Sequence, residues 1–202
     1  MFYRKFGKRA LDVAIASVAL IFVCPIIFVV ACALFFESRE WPFFVQLRPG
    51  LRSRLFGCVK LKTMRNLRDE HGEFLPDSVR LTRVGSWARK WSLDEVPQLI
   101  NVVKGDMSIV GPRPLMPKYL QLYSSEQARR HDVRPGLSGL AQVNGRNHLA
   151  WTERFALDIE YVDHVSFKLD LAIIFKTLWL VARRTGINGQ DGGSIEEFKG
   201  GS

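Results

Sequence analysis

A chain of 202 residues with a formal net charge of +9 can form one domain with a real core, and it favours anionic partners. The sequence contains no zinc-finger spacing, RNA-recognition motif or basic-aromatic ribbon, which argues against nucleic acid as that partner. Cys24, Cys32 and Cys58 have no CxxC or metal-ligand spacing. They are best interpreted as small apolar packing residues in a reducing compartment.

The N-terminal part contains an uncharged run of 24 residues, 13–36, with Pro25 at its midpoint. As one helix this run would reach about 36 Å and could cross a hydrocarbon layer of ~30 Å. Broken at Pro25, it would form two arms of about 18 Å, as in a hairpin that enters and leaves on one side. The flanking charges alone favour a span with the following residues outside. A buried core helix is the third alternative.

Shorter elements follow, with Gly and Pro at most of their ends. Strands are predicted over 43–46 and 55–61, joined by a basic turn over 48–54, and a polar loop over 66–77. Helices are predicted from about Ser92 to Gly105 and over 118–131, followed by an irregular loop over 134–147. Two more helices are predicted over 151–163 and 171–184, then an irregular tail from Gly186. The helix over 171–184 has little polar face, so it is either deeply packed or lies in a membrane interface.

Asp94 and Glu95 are the first candidates for catalysis, because they fall at the predicted start of the helix from Ser92. Unpaired N–H groups and the helix dipole favour negative charge at that position. Adjacent helical residues point about 100° apart, so the two carboxylates should have different roles. An ionised aspartate beside an anion site, with a divalent cation to offset repulsion, can attack phosphorus. The structural alternative is a capping box formed by Ser92 and Glu95.

Several segments together resemble the signature of bacterial polyprenol-phosphate phosphoglycosyl transferases of the monotopic type. The longest are residues 92–99 (SLDEVPQL), 105–114 (GDMSIVGPRP) and 134–146 (RPGLSGLAQVNGR). Shorter ones are Gln46-x-Arg48-x-Gly50 and residues 60–64 (KLKTM). The resemblance runs from about Phe6 to Gly186, in the order that the family shows, and it resembles the minimal members of the family.

The resemblance implies transfer of a phospho-sugar from a UDP-sugar to a polyprenyl phosphate such as undecaprenyl phosphate, with release of UMP. Asp94 matches the family nucleophile, which forms an aspartyl phospho-sugar intermediate in a two-step, ping-pong route. Glu95 matches the second carboxylate of the catalytic pair, which helps to hold Mg²⁺ or assists proton transfer, and Asp94 and Glu95 are the expected metal ligands. This reaction would be the first membrane step of a bacterial glycan pathway, such as exopolysaccharide or glycoprotein biosynthesis.

The implied fold is α/β and α-rich: a monotopic membrane protein with a proline-broken reentrant helix, interfacial amphipathic helices and a small compact catalytic domain. Residues 1–40 would form the reentrant helix, 41–186 the catalytic domain and 187–202 an irregular tail. Because UDP-sugars are cytoplasmic, the domain is expected on the cytoplasmic face of the bacterial inner membrane. Membrane lipid is a further expected partner, and a homodimer is left open.

Other site residues are carried over from the same resemblance. The candidates for phosphate binding are basic, with a solvated or membrane-facing role as the alternative: Lys60, Arg89, Arg113 and Arg146. Asp158 and Tyr161 share one face of the predicted helix over 151–163. Asp158 is expected either to contact sugar or metal or to form a structural salt bridge with an arginine.

The membrane hinge is assigned to Cys24 and Pro25. Family members often have serine at the position of Cys24, and a thiol bonds a freed carbonyl more weakly than a hydroxyl does. Asp12, with Lys8 or Arg9, is expected to anchor the membrane helix. Ser53 stands where the family often has a second glycine, which leaves the shape of that loop open.

Three rival interpretations remain at this stage: a transferase that uses another nucleotide, a catalytically silent scaffold of the same fold, and a bitopic protein with an external domain. The Asp94–Glu95 pair argues against the scaffold. The sequence does not identify the sugar.

Overall fold

The long apolar run forms one helix in the computed structural model, which describes residues 3–145, 149–183 and 197–201. Helix α1 (Lys8–Ser38) follows a π-helical turn at Tyr3–Gly7. Within the described ranges, only α1 is long and apolar enough to cross a membrane. The predicted break at Pro25 does not interrupt the helix, which continues through this residue, and a proline inside a helix can bend it without ending it. The φ angle of proline suits a helix, and its missing N–H removes one hydrogen bond without ending the element.

The remaining helices of the described residues are short, apart from two at the C-terminal side. They are α2 (Asp77–Arg80), α3 (Arg83–Lys90), α4 (Leu99–Lys104), α5 (Ser125–Ala128), α6 (Leu140–Asn144), α7 (Trp151–Asp163) and α8 (Phe167–Arg183). Helix α7 has the predicted bounds, and α8 begins four residues before its predicted start. With its two strand pairs, the chain is mixed α/β and rich in helix, as predicted.

The two halves of α1 pack against different parts of the same domain. Ala16 is fully buried in the larger hydrophobic core, and Leu34 is fully buried in a second cluster. Between them Ile21 and Phe22 are 71% and 73% exposed, and Pro25 is exposed as well. Helix α1 therefore has a packed segment on each side of an exposed apolar middle.

Buried polar groups fasten the N-terminal end of α1. The Asp12 carboxylate accepts hydrogen bonds from Ser108 Oγ at 2.7 Å and from the backbone N–H of Ile109 at 3.0 Å. Lys8 Nζ lies 2.7 Å from Asp170 Oδ2 and 3.9 Å from Asp12 Oδ1. The anchoring role predicted for Asp12 is confirmed, although Asp170 is the closer partner of Lys8.

The C-terminal end of α1 is fastened as well. Glu37 accepts hydrogen bonds from the first backbone N–H groups of α3, those of Arg83 at 2.8 Å and Val84 at 3.0 Å. Its own carbonyl accepts from Arg65 Nη2 at 3.0 Å. A carboxylate at a helix N-terminus satisfies orphan donors and complements the helix dipole. Both ends of α1 are thus bonded to one domain.

The two predicted strands are confirmed as an antiparallel hairpin, although the first runs three residues past its predicted end at residue 46 and includes the start of the predicted turn. Strand β1 (Phe43–Pro49) pairs with β2 (Leu55–Leu61) in a register that sets Phe43 opposite Leu61. A 3₁₀ turn at Leu51–Ser53 joins them. Ser53 has φ 59°, in the left-handed region that favours glycine, which accounts for the glycine that the family resemblance leads one to expect.

A second, parallel pair joins β3 (Ser108–Val110) to β4 (Gly136–Ser138). The chain segments after β3 and before β4 meet so closely that a Cβ atom at Gly111 would overlap the backbone of Arg134. A Cβ atom at Gly136 would likewise overlap Gly111. The close approach of the two backbones therefore requires glycine at both positions. Gly111 and Gly136 belong to two of the segments that carry the family resemblance.

Three predicted elements differ from the structure. Helix α4 starts at Leu99, after a 3₁₀ turn at Val96–Gln98, and it ends at Lys104 with Gly105 as its C-cap, where the stop was predicted. Residues 118–131 form 3₁₀ segments at Pro117–Gln121 and Arg129–Asp132 around α5, because Ser124 starts a new helix with a capping box. The loop predicted over 134–147 contains β4 and α6. Gly186 lies outside the described residues, and residues 197–201 are irregular.

Candidate active site

A cavity of about 680 Å³ lies between α1, α7, α8 and the segments around β3 and β4. Its charged lining residues interact electrostatically with one another, and we call this part the polar end; it comprises four guanidinium groups and three carboxylates, those of Arg48, Arg89, Arg113, Arg154, Asp94, Glu95 and Asp158. Its apolar lining, which we call the apolar arm, comes mainly from the larger hydrophobic core and helix α8, with Ile15, Ala19, Leu137, Ala141, Ile174, Leu178 and Val181. The cavity thus combines an anion-binding region with an apolar arm that reaches α1 and α8.

Asp94 and Glu95 lie in a turn before α4, not in the first turn of an α-helix as predicted. Ser92 has φ 55° and the structure has no capping hydrogen bond from it, so the alternative capping box is also wrong. Pro97 has no N–H and supports a 3₁₀ turn at this point. The carbonyl of Asp94 accepts a hydrogen bond from the Leu61 N–H at 3.0 Å, which fixes the turn to the end of β2.

Glu95 is held by two cations. Arg113 Nη2 lies 2.5 Å from Oε1 and Nη1 lies 3.0 Å from Oε2, while Lys60 Nζ lies 2.7 Å from Oε1. Burial alone would raise the pKa of Glu95, but the positive charges of Arg113 and Lys60 hold it well below its usual range. Glu95 is therefore ionised and fully engaged, which suits an organising carboxylate better than a free base.

Asp94 has a different environment from its neighbour, as the sequence predicted. Among the described residues no other side chain hydrogen-bonds to its carboxylate, which lines the polar end of the cavity. Burial raises the pKa of Asp94 above its ordinary value, and the charge of Glu95 adds to the rise. Lys60 and Arg89 act in the opposite direction. An incompletely solvated carboxylate with no side-chain partner is a competent nucleophile when it is ionised.

The basic residues predicted to bind phosphate divide into two groups. Arg113 and Arg89 line the cavity, and the Nε of Arg89 donates to Thr63 Oγ1 at 2.8 Å. Lys60 does not line the cavity, and its ammonium group forms an ion pair with Glu95. Arg146 lies outside the described residues, so its predicted role stays untested.

Asp158 forms the buried salt bridge that was one of its two predicted alternatives. Its Oδ2 lies 2.7 Å from Arg130 Nη2, and both side chains are nearly inaccessible. The same Arg130 nitrogen donates to the carbonyl of Arg113 at 2.8 Å. Asp158 also borders the cavity, but its main effect is to fix the backbone of Arg113 through Arg130.

Tyr161 lies away from the cavity. It is 1% exposed, and its hydroxyl donates to Asp170 Oδ1 at 2.7 Å and lies 3.0 Å from the Val110 carbonyl oxygen. Desolvation by burial, with the charge of Asp170, raises the pKa of Tyr161 far above its ordinary value. The structure thus gives Tyr161 a packing position between β3 and α8 and no contact with the predicted substrate pocket.

Sequence reasoning missed several cavity residues. Arg48 belongs to one of the motifs that resemble the family, but it was not among the predicted site residues. It lines the cavity, and its guanidinium donates to Gln46 Oε1 at 2.6 Å. Arg154 is one turn before Asp158 on α7, and that spacing was the signal that could have found it. Its guanidinium lies 4.5 Å from the ring of Trp151, which also lines the cavity.

The described residues contain no group of three or more His, Cys, Asp or Glu side chains that could hold a metal ion. Mg²⁺, however, is usually bound through one or two carboxylates together with substrate phosphates. Asp94 has the required open carboxylate, whereas Glu95 would first have to release Arg113 or Lys60. The donor set fits Mg²⁺ only if a phosphorylated substrate completes it.

The described structure thus has a guanidinium-lined cavity beside one long, partly exposed apolar helix. Sequence comparison supplies the family. The model of the family described as "Bacterial sugar transferase" matches residues 3–184, and the chain therefore belongs to the bacterial sugar transferase family. The predicted family and its enzyme class, a transferase, are confirmed.

Individual relatives agree with this assignment. The chain is 46% identical to "Uncharacterized sugar transferase EpsL" of Bacillus subtilis over 193 residues, 96% of either chain. It is 38% identical to "Exopolysaccharide production protein ExoY" of Rhizobium meliloti, covering 89% of this chain and 87% of the relative. It is 39% identical to "UDP-glucose:undecaprenyl-phosphate glucose-1-phosphate transferase" of Caulobacter vibrioides, covering 85% of this chain and 68% of the relative.

Proposed function

We propose that this protein transfers a phospho-sugar from a UDP-sugar to undecaprenyl phosphate and releases UMP. The observation that carries the proposal is one cavity that combines a guanidinium-rich end, an apolar arm and Asp94, whose carboxylate has no side-chain hydrogen bond among the described residues. Such a cavity can bring a nucleotide-sugar diphosphate and a lipid phosphate to one nucleophile. The name of the Caulobacter relative describes the same type of reaction with UDP-glucose.

The polar end would bind the diphosphate of the donor. Arg113 presents a planar guanidinium whose side chain is 46% exposed, so it can exchange its Glu95 contact for a phosphate oxygen. Arg48 and Arg154 add positive charge along the same wall. Three guanidinium groups offset the charge of a diphosphate that lies close to Asp94.

In the first step an Asp94 carboxylate oxygen attacks the phosphorus that carries the sugar. The new carboxylate–phosphorus bond forms as the bond from phosphorus to the bridging oxygen of UMP breaks, and UMP leaves with that electron pair. In the second step a phosphate oxygen of the lipid attacks the same phosphorus and releases the Asp94 carboxylate. No proton must be removed from either nucleophile if both are ionised, which suits a Glu95 that is occupied by cations.

Mg²⁺ is proposed as the cofactor, with Asp94 as the chief protein ligand and Glu95 as a second ligand once a cation has moved to the substrate. When bound, the ion would offset the negative charge of the diphosphate. Arg89, close enough to lower the pKa of Asp94, would help to keep the carboxylate ionised in the absence of the ion.

The lipid chain would occupy the apolar arm. This arm is lined by Ile15 and Ala19 of α1 and by Ile174 and Leu178 of α8. The neighbouring surface of α8 is strongly apolar, with Phe175 63% exposed. An acceptor that is anchored in the bilayer could therefore reach the cavity from the membrane side with its phosphate towards Asp94.

We further propose that α1 enters the membrane and returns to the same face, as a monotopic, reentrant element with the catalytic domain in the cytoplasm. Lys8 and Glu37, near the two ends of α1, are both bonded to the domain. Because both ends contact one domain, α1 would not place one of them on the far side of the bilayer. A straight α1 would hold Lys8 and Glu37 about 43 Å apart, so entry and return require a bend, which we place at Pro25. The exposed segment around Pro25 would then lie in the hydrocarbon, and cytoplasmic UDP-sugars would have access to the cavity.

The test is release of UMP by the purified protein with a panel of UDP-sugars, undecaprenyl phosphate and Mg²⁺. Asp94→Asn should lower the rate by about 10³-fold or more, because the amide is not a nucleophile for this step. Asp132→Asn is the matched control, since Asp132 is exposed and lies outside the cavity. Equal rates for Asp94→Asn and wild type would refute the mechanism. Failure of wild type with every sugar nucleotide would favour the silent scaffold.

The covalent step has its own test. Wild type incubated with a UDP-sugar and labelled UMP, without lipid, should move the label into the UDP-sugar, because the first step is complete and reversible on its own. Exchange that depends on the lipid acceptor would contradict a ping-pong route.

A further inference from the structure

The segment at residues 197–201 packs into the domain although it has no regular secondary structure. Phe198 is only 5% exposed. Its ring centroid lies 5.0 Å from that of Phe155, 5.4 Å from Trp151 and 5.8 Å from Tyr119. These rings form an aromatic cluster that includes Phe198 as a buried member.

Part of this aromatic cluster forms a wall of the cavity. Tyr119 and Trp151 line the polar end, and Arg154, whose guanidinium stacks over Trp151, lines it as well. Phe198 does not line the cavity and supports Trp151 and Tyr119 from outside. Because neighbouring rings in a packed cluster determine each other's positions, loss of Phe198 would free both cavity rings to move.

A second path connects Phe198 with the catalytic residues. Its ring stacks on Tyr123 at 6.0 Å, and the Tyr123 hydroxyl accepts a hydrogen bond from Arg130 Nη1 at 3.1 Å. Arg130 in turn donates to the carbonyl of Arg113, the residue that holds Glu95. The aromatic cluster therefore supports both the wall of the cavity and the backbone of its central arginine.

An ion pair also attaches residues 197–201 to the domain. Glu197 pairs with Lys118, which precedes Tyr119 in the 3₁₀ segment Pro117–Gln121. The segment lies beyond residue 184, where the match to the family model ends. It is thus a feature of this chain that the family assignment does not explain.

We propose that residues 197–201 are a positioning segment of the donor site, with Phe198 as the residue that sets Tyr119, Trp151 and Arg154 for binding of the nucleotide-sugar. The inference rests on the proposed function, because it concerns the same cavity. It deepens that function by assigning control of donor affinity to the C-terminal segment.

The experiment compares full-length wild type, Phe198→Ala and Phe198→Leu for UMP release, with donor and lipid acceptor varied separately. Phe198→Ala should raise KM for the UDP-sugar about tenfold, with kcat within about twofold and KM for the lipid unchanged. Phe198→Leu should restore most of the donor affinity, because it refills most of the volume. Phe74→Ala is the control, since Phe74 is exposed and contacts Arg68 and Arg80 away from the cavity.

The midpoint of thermal unfolding of each variant, measured with and without UDP, shows whether Phe198 positions the donor site or only stabilises the fold. A lower midpoint with an unchanged donor KM would overturn the proposal, as would equal rises in KM for donor and lipid. If Phe198→Ala does not fold, Phe198→Leu should still show a smaller rise in donor KM, about two- to threefold, and an unchanged donor KM would overturn the proposal. If wild type releases no UMP, the proposed function fails, and the UDP-dependent shift of the midpoint then decides: an equal or absent shift in wild type and Phe198→Ala overturns the inference too.

Discussion

Arg113 binds Glu95 through both ends of its guanidinium, with Nη2 2.5 Å from Oε1 and Nη1 3.0 Å from Oε2. The Glu95 side chain is 18% exposed and the Arg113 side chain 46%, so the arginine is the partner that reaches solvent. Lys60 contacts Glu95 from the inner side and would keep it paired if Arg113 moved. In the proposed donor complex a phosphate oxygen would take the place of the Glu95 carboxylate at Arg113.

This pair gives the first prediction. Arg113→Lys keeps the charge but loses the planar fork that binds two oxygens at once. We expect kcat/KM for the UDP-sugar to fall about 10–100-fold, measured by UMP release. Arg52→Lys in the exposed turn between β1 and β2 should leave kcat/KM unchanged. An Arg113→Lys enzyme as efficient as wild type would show that the fork has no role in donor binding.

The second prediction concerns pH. Burial and the charge of Glu95 raise the pKa of Asp94, and only the ionised carboxylate attacks, so activity should fall as the pH drops through that raised pKa. Glu95→Gln removes a negative neighbour and should shift the acid limb of kcat/KM to lower pH. Arg89→Gln removes a positive neighbour and should shift it to higher pH. The pH profiles of kcat/KM are compared after each is scaled to its own maximum. If Glu95→Gln and Arg89→Gln shifted the acid limb in the same direction, the assignment of that limb to Asp94 would be contradicted.

The third prediction concerns the membrane topology of α1. In a variant without native cysteines, Arg4→Cys and Lys199→Cys should both resist an impermeant maleimide in intact cells and react after permeabilisation. The expectation follows from Lys8 and Glu37, which bind opposite ends of α1 to one domain. A variant with only Cys24, which is exposed in the middle of α1, should react best with a membrane-permeant reagent. Labelling of one end alone in intact cells would establish a span.

The sequence predicted those elements whose signals are local. The hairpin around the 48–54 turn and helix α7 are bounded by turn residues and periodic apolar positions, and both are confirmed. The start of α4 was wrong because Ser92 adopts a left-handed φ, a choice that propensity does not encode. The sequence left open whether α1 continues through Pro25, since proline penalises a helix without always ending it, and the structure shows a continuous helix.

Within the site, the sequence predicted which residues take part, but it did not predict which of them are bonded to one another. Motif similarity selected Asp94, Glu95 and Arg113, which the structure brings together. It did not reveal that Glu95 is saturated by cations while Asp94 has no side-chain partner among the described residues. That difference depends on contacts between segments that are distant along the chain, such as Lys60 of β2 with Glu95. Tyr161 shows the reverse case, a motif position whose hydroxyl serves packing.

The last prediction tests the apolar arm of the cavity. Ala19 on α1 lines this arm, so Ala19→Phe should fill part of the space assigned to the lipid chain. We expect KM for undecaprenyl phosphate to rise about tenfold, whereas exchange of labelled UMP into the UDP-sugar should be unchanged, because it needs no lipid. Val18→Phe is the matched control, since Val18 is 54% exposed and does not line the cavity. An Ala19→Phe variant that loses UMP exchange would place the donor in the arm, and one with an unchanged lipid KM would exclude the arm as the acceptor site. A phosphorylated acceptor with a short chain should be less sensitive to Ala19→Phe, because less of it reaches the arm between α1 and α8.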